Sequence, residues 1–243
     1  MAINLGQILN IVNYFTDVSQ EGGRFTSVQF NTLLPKAVND TYNLFVYKEY
    51  EKEQKFTDAA MPFKVFMGQE AYTDNNGNLI PAIPPLMIDA SGYANIPSDY
   101  KHYSAIKFKK LENTDHGVEV KIKNVMVLTD QEFDSWQDSV LKKGTFKYPF
   151  CNFQNGFIRF APKELKQVNF VYLRYPKTPV YGYTTNTSTQ VDTYNPATSV
   201  EVEFRDEEIY KLISLLLSYV GVNLSYSTIA DYAAQEQQKN LAV

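Results

Sequence analysis

The chain has 243 residues, 44% of them hydrophobic and 21% charged, which is enough apolar material for one large domain or two smaller ones. Its net charge of −4 argues against sequence-specific DNA binding, and its single cysteine, Cys151, excludes a disulfide within the chain. The 18 tyrosines and 16 phenylalanines are typical both of protein interfaces and of ordinary sheet packing.

No targeting or membrane segment is evident in the sequence. The first residues lack the basic flank and the small-residue cleavage site of a signal peptide. No apolar run approaches the ~20 residues that are needed to span a bilayer. We therefore expect a protein without a membrane segment that is made and kept in the cytosol.

Two helices are predicted in the N-terminal part of the chain. Apolar residues from Leu5 to Phe15 recur on one face of the first, which ends before Gly22. The second runs from Ser27 to Tyr50 or beyond, and Pro35 predicts either a kink or a change from a short helix to a longer one. Its charged tail, residues 48–55, is typical of a solvated helix end.

Short apolar runs separated by turn residues predict β structure from residue 61 to 198. A capping box that begins at Thr129 predicts one short helix within this stretch. An Asn-Gly turn at residues 155–156 predicts a hairpin. The predicted strands and hairpin span residues 103–109, 118–128, 151–160 and 168–175.

Two exposed loops are predicted within this β-rich stretch. Residues 70–90 contain a turn, 74–78, followed by Pro81, Pro84 and Pro85. Residues 182–198 are rich in threonine, asparagine and serine, and are long for a connection without secondary structure. We therefore expect residues 182–198 to be a functional loop or a flexible arm.

The last forty residues predict a strand and two helices. Val200, Val202 and Phe204 alternate with charged residues, as in a strand with one buried face. Asp206 is the expected N-cap of a helix whose apolar face, residues 209–220, anchors the fold. Gly221 ends that helix, and a polar helix extends to Asn240.

These elements predict an α+β protein. We expect residues 1–60 and 199–243 to form a helical body. Residues 61–198 would form a central β-rich module of antiparallel strands, arranged as a sandwich or a barrel.

Residues that commonly carry chemistry are few. His102 and His116 are the only histidines and lack metal-ligand spacing, and Cys151 is flanked by aromatic residues, which predicts a buried, inert thiol. Phosphate loops, nucleophile elbows and dinucleotide fingerprints are missing. The acidic residues of the short helix, from Asp130 to Asp138, are expected at a helix N-terminus without any catalytic role. The sequence therefore predicts no enzyme, no metal site and no cofactor. A hydrolase that uses Cys151 with His102 or His116 remains an alternative hypothesis.

Two segments resemble a known protein family. Tyr172, Arg174 and Pro176 end a strand with a Tyr-x-Arg-x-Pro pattern, and an acidic start at residues 206–208 opens the pair of C-terminal helices. This order is similar to that of tailed-bacteriophage head-to-tail connector proteins, with the closest likeness to ring proteins of crAss-like Bacteroides phages.

The resemblance implies a structural virion protein. It implies a dodecameric ring beneath the portal protein that forms part of the DNA exit channel, and assembly in the host cytoplasm. The implied partners are the portal, adjacent tail or ring proteins, and duplex DNA that passes without sequence-specific binding.

Subunit contacts are expected in and beside the two polar segments, at five tyrosines and one glutamine. The candidate interface residues are Tyr181, Tyr183, Tyr194, Tyr226, Tyr232 and Gln235. An alternative of a different class is a non-enzymatic receptor- or glycan-binding module of the virion, in which the β-rich middle binds through exposed tyrosines and Trp136.

Overall fold

The structure, a computed structural model, describes residues 3–18, 25–53, 57–75, 77–114 and 117–219. The chain divides into two compact units. The helical unit comprises Met1–Phe63 and Pro176–Val243, and the β unit comprises Lys64–Tyr175. This division assigns residues 176–198 to the helical unit, whereas they were predicted to belong to the β-rich module.

Helices and mainly antiparallel sheets are both present, so the predicted α+β class is confirmed. The α-helices of the described residues are α1 (Leu5–Val18), α2 (Ser27–Thr41), α3 (Lys48–Glu53), α4 (Asp130–Asp138) and α5 (Asp206–Tyr219). The strands are β1 (Lys64–Met67), β2 (Tyr72–Thr73), β3 (Leu79–Ile80), β4 (Leu86–Met87), β5 (Tyr93–Asn95), β6 (Tyr100–Thr114), β7 (Gly117–Asn124), β8 (Met126–Val127), β9 (Phe150–Gln154), β10 (Phe157–Ala161), β11 (Gln167–Arg174), β12 (Tyr183–Thr185) and β13 (Asp192–Tyr194). No helix of the described segments is both long and apolar enough to cross a bilayer.

The helical unit is built around α5, which packs against α1 and α2. Its predicted apolar face is buried, including Ile209, Leu212 and Leu216. The helix begins one residue before the expected position, because the Ile209 N–H donates to the carbonyl of Arg205 and Asp206 is already helical. The predicted polar helix that extends to Asn240 lies outside the described residues.

Pro35 does not interrupt the second helix. α2 starts at a capping box in which Thr26 and Gln29 exchange side-chain and backbone hydrogen bonds. It passes through Pro35, continues as a π-helical turn, Tyr42–Tyr47, and ends in α3. The irregularity therefore falls after Thr41, six residues beyond the proline that was expected to cause it.

The strand predicted at residues 200–204 is wrong. Val200 forms a single bridge with Val180, and the following residues belong to no sheet. The carboxylates on its polar face accept main-chain hydrogen bonds instead: Glu201 from the Leu5 N–H at 2.9 Å, and Glu203 from the Lys177 N–H at 3.1 Å. The alternation of apolar and charged residues here arises because Phe204 is buried and the glutamates accept main-chain hydrogen bonds, not because the segment pairs with another strand.

Residues 182–198, which were expected to be an exposed functional loop or a flexible arm, contain regular structure. β12 and β13 form a hairpin, and a 3₁₀ turn, Pro196–Thr198, follows it. Gly182 lies against this turn so closely that a Cβ atom would meet the Thr198 side chain at 2.2 Å. The segment is therefore folded, although many of its side chains are exposed.

The β unit contains two sheets that share one hydrophobic core, as in a sandwich. The first sheet has the antiparallel order β1-β11-β6-β7, with β4 also paired to β11. The second has the order β5-β10-β9-β8, in which the β8 and β9 pair is parallel. Phe170 and Phe108 of the first sheet pack in the same cluster as Ile158 and Phe160 of the second.

Most local predictions in the β unit are confirmed. The Asn155-Gly156 turn joins β9 to β10, and Thr129 caps α4 through a capping box with Glu132. The segment predicted as one strand at 118–128 is divided at Val125, where the chain leaves the first sheet and enters the second as β8. Within the predicted exposed loop 70–90, β2 and β3 form a hairpin around the expected turn, and Asp74 Oδ1 accepts the Asn78 N–H at 2.8 Å. The end of this segment is not an exposed loop, because β4 pairs with β11 and both Leu86 and Ile88 are buried.

Candidate interaction surfaces

Three of the candidate interface residues pack together inside the helical unit. Tyr181 is 5% exposed; its ring stacks on Tyr194 at 5.4 Å and on Tyr183 at 6.1 Å, and meets Phe30 edge-on at 5.4 Å. Tyr181 is thus a core residue with little surface left for another subunit, whereas Tyr183 and Tyr194 are half-buried. The other three candidates, Tyr226, Tyr232 and Gln235, lie outside the described residues.

Hydrogen bonds connect this tyrosine cluster to α1 and α2. The Tyr194 hydroxyl donates to Glu201, whose other carboxylate oxygen receives the Leu5 N–H at the start of α1. The Asn31 side chain on α2 donates to the Tyr181 carbonyl at 2.9 Å and accepts the Tyr181 N–H at 2.8 Å. Burial, with Glu201 adding to it, raises the pKa of Tyr194. The cluster therefore joins the two helices to residues 181–201.

The most exposed apolar side chains described lie in one loop of the β unit, between α4 and β9. We call residues 139–149 the lysine loop. Val140 and Leu141 are 95% and 96% exposed, and Phe146 and Tyr148 are also exposed. The loop carries Lys142, Lys143 and Lys147 and no acidic residue. It therefore combines an uncovered apolar tip with a charge of +3.

The lysine loop is held in a defined conformation. The Lys143 N–H donates to the Ser139 carbonyl at 3.2 Å, and the Tyr148 N–H donates to the Thr145 carbonyl at 3.0 Å. Gly144 lies against β10, where a Cβ atom would be 2.6 Å from the Ala161 Cβ. The tip is thus presented to solvent on an ordered turn, which is the usual arrangement of a contact loop.

The helical unit contains an open cleft of about 520 Å³ at the start of α5. We call it the acidic cleft. Its lining includes five acidic residues and two basic ones, a formal charge of −3. The lining residues are Glu49, Thr57, Asp58, Ala59, Arg205, Asp206, Glu207, Glu208 and Lys211.

Glu208 is an unusual member of this lining. It is 5% exposed, its Oε1 lies 3.9 Å from the Lys211 Nζ, and its buried Oε2 has no hydrogen-bond partner among the described residues. Burial raises the pKa of this carboxyl above its ordinary value, and nearby Lys211 opposes the shift. An incompletely compensated carboxylate at this depth favours the approach of a hydrogen-bonding cation.

A ribbon extends from the first sheet of the β unit. The pairing of β6 with β11 ends at Lys107, whereas its pairing with β7 continues to Thr114. Among the described residues, 108–114 and 117–123 therefore form a two-stranded ribbon. Seven residues per strand correspond to roughly 24 Å. A two-stranded ribbon of this length has little stability of its own.

The residues considered for catalysis or glycan binding are buried or packed against other side chains where the structure describes them. Cys151 is fully buried, and burial raises the pKa of its thiol to about 12, which disfavours the thiolate that a nucleophile needs. His102 stacks on Tyr103, and His116 lies outside the described residues. Trp136 is half-buried: it meets Phe150 edge-on and carries the Lys142 ammonium 5.2 Å above its ring. That ammonium covers a face that a glycan would otherwise stack on.

Three of the acidic residues on α4 have structural partners. Glu132 caps the helix at Thr129, Asp130 accepts from Asn152 at 2.6 Å, and Asp134 pairs with Arg159 at 2.9 Å. No group of three or more potential metal ligands occurs within the described segments.

The lysine loop and the acidic cleft were not predicted from the sequence. The sequence does contain a signal for the loop, because two aliphatic residues, Val140 and Leu141, stand directly before two lysines just after a predicted helix. The cleft had no such signal, since Glu49 and Asp58 are about 150 residues from α5 in the sequence.

The residues that carry the family resemblance make structural contacts at the end of β11. Tyr172 is buried and its hydroxyl donates to Asp99 at 2.8 Å; burial and Asp99 raise the pKa of that hydroxyl. Arg174 donates to the carbonyl of Tyr175 at 3.1 Å. The sequence matches no protein-family model and no curated protein.

Proposed function

We propose that this chain is a non-enzymatic structural subunit of a tailed-bacteriophage virion, which forms an oligomeric ring at the portal as part of the head-to-tail connector and the DNA exit channel. The order of elements that resembles connector proteins is the basis for the class of assembly. The observation that carries the subunit role is the exposed tip of the lysine loop. Adjacent aliphatic side chains that are almost fully solvated on an ordered turn are unfavourable in a monomer and normal in a surface that becomes covered.

The charge distribution is compatible with a DNA channel. The helical unit has nine basic and 15 acidic residues, a net charge of −6, whereas the β unit has 14 basic and 12 acidic residues, a net charge of +2. A surface with an excess of carboxylates repels phosphates, so a duplex passes along it without binding. This supports channel-lining by the helical unit.

The test is assembly of the full-length protein, alone and mixed with its portal protein, followed by mass photometry and negative-stain electron microscopy. We expect rings, either alone or on the portal. Monomers in both samples would refute the proposal.

A variant pair makes this test sharper. Replacing both Val140 and Leu141 with Ser should weaken ring formation at least tenfold, because the apolar tip then loses its burial in the assembly. The matched control replaces Leu79 with Ser, since this exposed aliphatic residue lies on the β2–β3 hairpin of the same unit. The control should assemble like the wild type, and all three proteins should unfold at similar temperatures.

A further inference from the structure

The lysine loop and the acidic cleft have complementary properties and lie in different units of the chain. The loop has three lysines, no acidic residue and an uncovered apolar tip. The cleft has a formal charge of −3 and a buried carboxylate oxygen without a hydrogen-bond partner among the described residues. Within the part of the chain that the structure describes, the loop therefore has no anionic partner and its tip no apolar one, and the cleft has more carboxylates than cations.

We infer that the acidic cleft of one copy binds the lysine loop of a second copy, with the Lys143 ammonium entering the cleft towards Glu208. This inference rests on the proposed function and names the contact between neighbouring subunits. The occupant is a second copy because the chain itself supplies a basic, apolar-tipped loop that matches the cleft in charge.

Lys143 is the best candidate among the three lysines of the loop. The ammonium of Lys142 lies over the ring of Trp136, and that of Lys147 lies over the ring of Tyr148 at 5.3 Å. Lys143 is exposed and directly follows the apolar tip and Lys142. An ammonium group can donate to three acceptors, so it can satisfy the Glu208 carboxylate and an acid at the rim together.

Such a contact leads to a ring rather than to a closed dimer when each copy binds one neighbour through its loop and another neighbour through its cleft. The loop belongs to the β unit and the cleft to the helical unit, so the two contacting patches differ. Repetition of such a head-to-tail contact closes into a ring when the rotation between copies allows it. The charge imbalance between the units favours the same orientation and disfavours contacts between like units.

Charge reversal in the full-length protein tests the contact. Lys143→Glu alters the loop, and Glu49→Lys alters the cleft on the exposed side of α3. Each change alone should weaken self-association about tenfold or more, measured at low salt by sedimentation velocity of the protein alone, or by mass photometry of the mixture with portal if the wild type assembles only there. The matched controls are Lys166→Glu, an exposed lysine elsewhere in the β unit, and Glu51→Lys, which is exposed on α3 but does not line the cleft. Both controls should associate like the wild type.

Mixing the two reversed proteins provides the decisive measurement. Each replacement changes the charge of its surface by two, to +1 for the loop and to −1 for the cleft. In the mixture, the new carboxylate of the Lys143→Glu loop can pair with the new ammonium of the Glu49→Lys cleft, and the unchanged loop and cleft complement each other, so association should be restored. Restoration also shows that both variants are folded. Unchanged association of the single variants, or a mixture that stays dissociated, would overturn the inference.

The outcomes separate this inference from the proposed function. Wild-type rings together with charge-insensitive association would reject the loop-and-cleft contact and leave the ring proposal intact. A wild-type protein that forms no ring, alone or on the portal, would reject both. A third variant, Glu208→Gln, should weaken association while the protein remains as stable as the wild type or becomes more stable, a combination that a purely structural role does not produce.

Discussion

At the scale of single residues, Asn31 shows how a polar side chain can take the place of a neighbouring strand. Its amide group both donates to and accepts from the main chain of Tyr181, as the backbone of a paired strand would. These bonds connect α2 to the segment that leads into the β12–β13 hairpin. Asn31 therefore contributes more to stability than a half-buried asparagine usually does.

We predict that Asn31→Ala destabilises the protein by about 2 kcal/mol, because it leaves one N–H and one carbonyl group unpaired. Denaturant unfolding followed by circular dichroism measures this change. Thr32→Ala is the control, since this exposed hydroxyl bonds only to the Val28 carbonyl of its own helix among the described contacts. Equal stabilities of the two variants would contradict the prediction.

Glu208 gives a prediction that depends on pH. Its folded-state pKa lies above its ordinary value because of burial, so the folded protein binds the proton more tightly than the unfolded chain. The associated stability is fully present below the ordinary glutamate pKa and is lost as the pH rises through the folded-state pKa. Arg205 and Lys211 oppose the upward shift, and Glu207 adds to it.

Replacing Glu208 with Gln should therefore raise the melting temperature at neutral pH by about 2–4 °C, the effect of ~1 kcal/mol in a chain of this size. The gain should vanish at pH values below the ordinary glutamate pKa. Differential scanning calorimetry from acidic to neutral pH tests this, with Glu51→Gln, an exposed glutamate outside the acidic cleft, as the control. A gain that is constant with pH would contradict the assigned cause.

Single residues were also where prediction from the sequence was least successful. Tyr181 was placed at a subunit interface because tyrosine is common in interfaces, yet its ring is buried among Phe30, Tyr183 and Tyr194. Composition cannot distinguish these environments, because both use the large area and polar tip of tyrosine. The Cys151 environment was predicted correctly, since flanking aromatic residues in a hairpin strand are a local signal.

At the scale of secondary structure, the turn after β1 depends on a close approach that only glycine permits. Gly68 has a φ of +85°, and a Cβ atom there would lie 2.1 Å from the Asn169 side-chain oxygen on β11. Gly156 in the β9–β10 turn has a φ of +86° and nothing within 4 Å of the same position. Both glycines thus have a positive φ that favours glycine, but only Gly68 is closely packed.

We predict that Gly156→Ala costs about 1 kcal/mol from backbone strain alone, and that Gly68→Ala costs about 2–3 kcal/mol because overpacking is added to the strain. Thermal and denaturant unfolding of the two variants measures the difference. Similar costs would mean that Asn169 moves aside without loss.

Elements with a local signal were predicted well, and elements that depend on distant partners were not. Apolar spacing identified α1, α2 and α5, and the capping box located α4 within one residue. The segment at 200–204 alternates like a strand, but its acidic residues bond to the main chain of Leu5 and Lys177, about 196 and 26 residues away. The hairpin at 183–194 was missed because its polar residues carry no hydrophobic alternation.

At the scale of the whole molecule, the β unit is a continuous insert in a helical unit that is built from both ends of the chain. Its two sheets enclose their own hydrophobic core, and its first and last strands, β1 and β11, pair with each other. A unit with its own core and paired ends has what independent folding requires.

We predict that the isolated Lys64–Tyr175 fragment folds cooperatively. Near-ultraviolet circular dichroism, which reports on the packed aromatic core, and a single calorimetric transition would confirm it. An aggregated fragment, or one without a near-ultraviolet signal, would show that the sheets need the helical unit.

The overall charge concealed a division that only the unit boundaries reveal. A net charge of −4 describes neither the helical unit at −6 nor the β unit at +2. The sequence supplied the charges but not the assignment of residues 176–198 to the helices, on which this division partly depends. The acidic cleft was unpredictable for the same reason, because its walls come from both ends of the chain.

The pairing of Lys64 with Leu173 brings the entry and exit of the β unit to neighbouring positions in one sheet. The 112 residues between Phe63 and Pro176 therefore act on the helical unit like a short loop. Pairing within the insert already brings its two ends together, so its length adds little to the entropic cost of folding the helical unit. The exposed loops of the β unit can consequently change in length and sequence while the helices keep their packing. Sequence change in the insert and sequence change in the helical core are thereby separated at a single pair of strands.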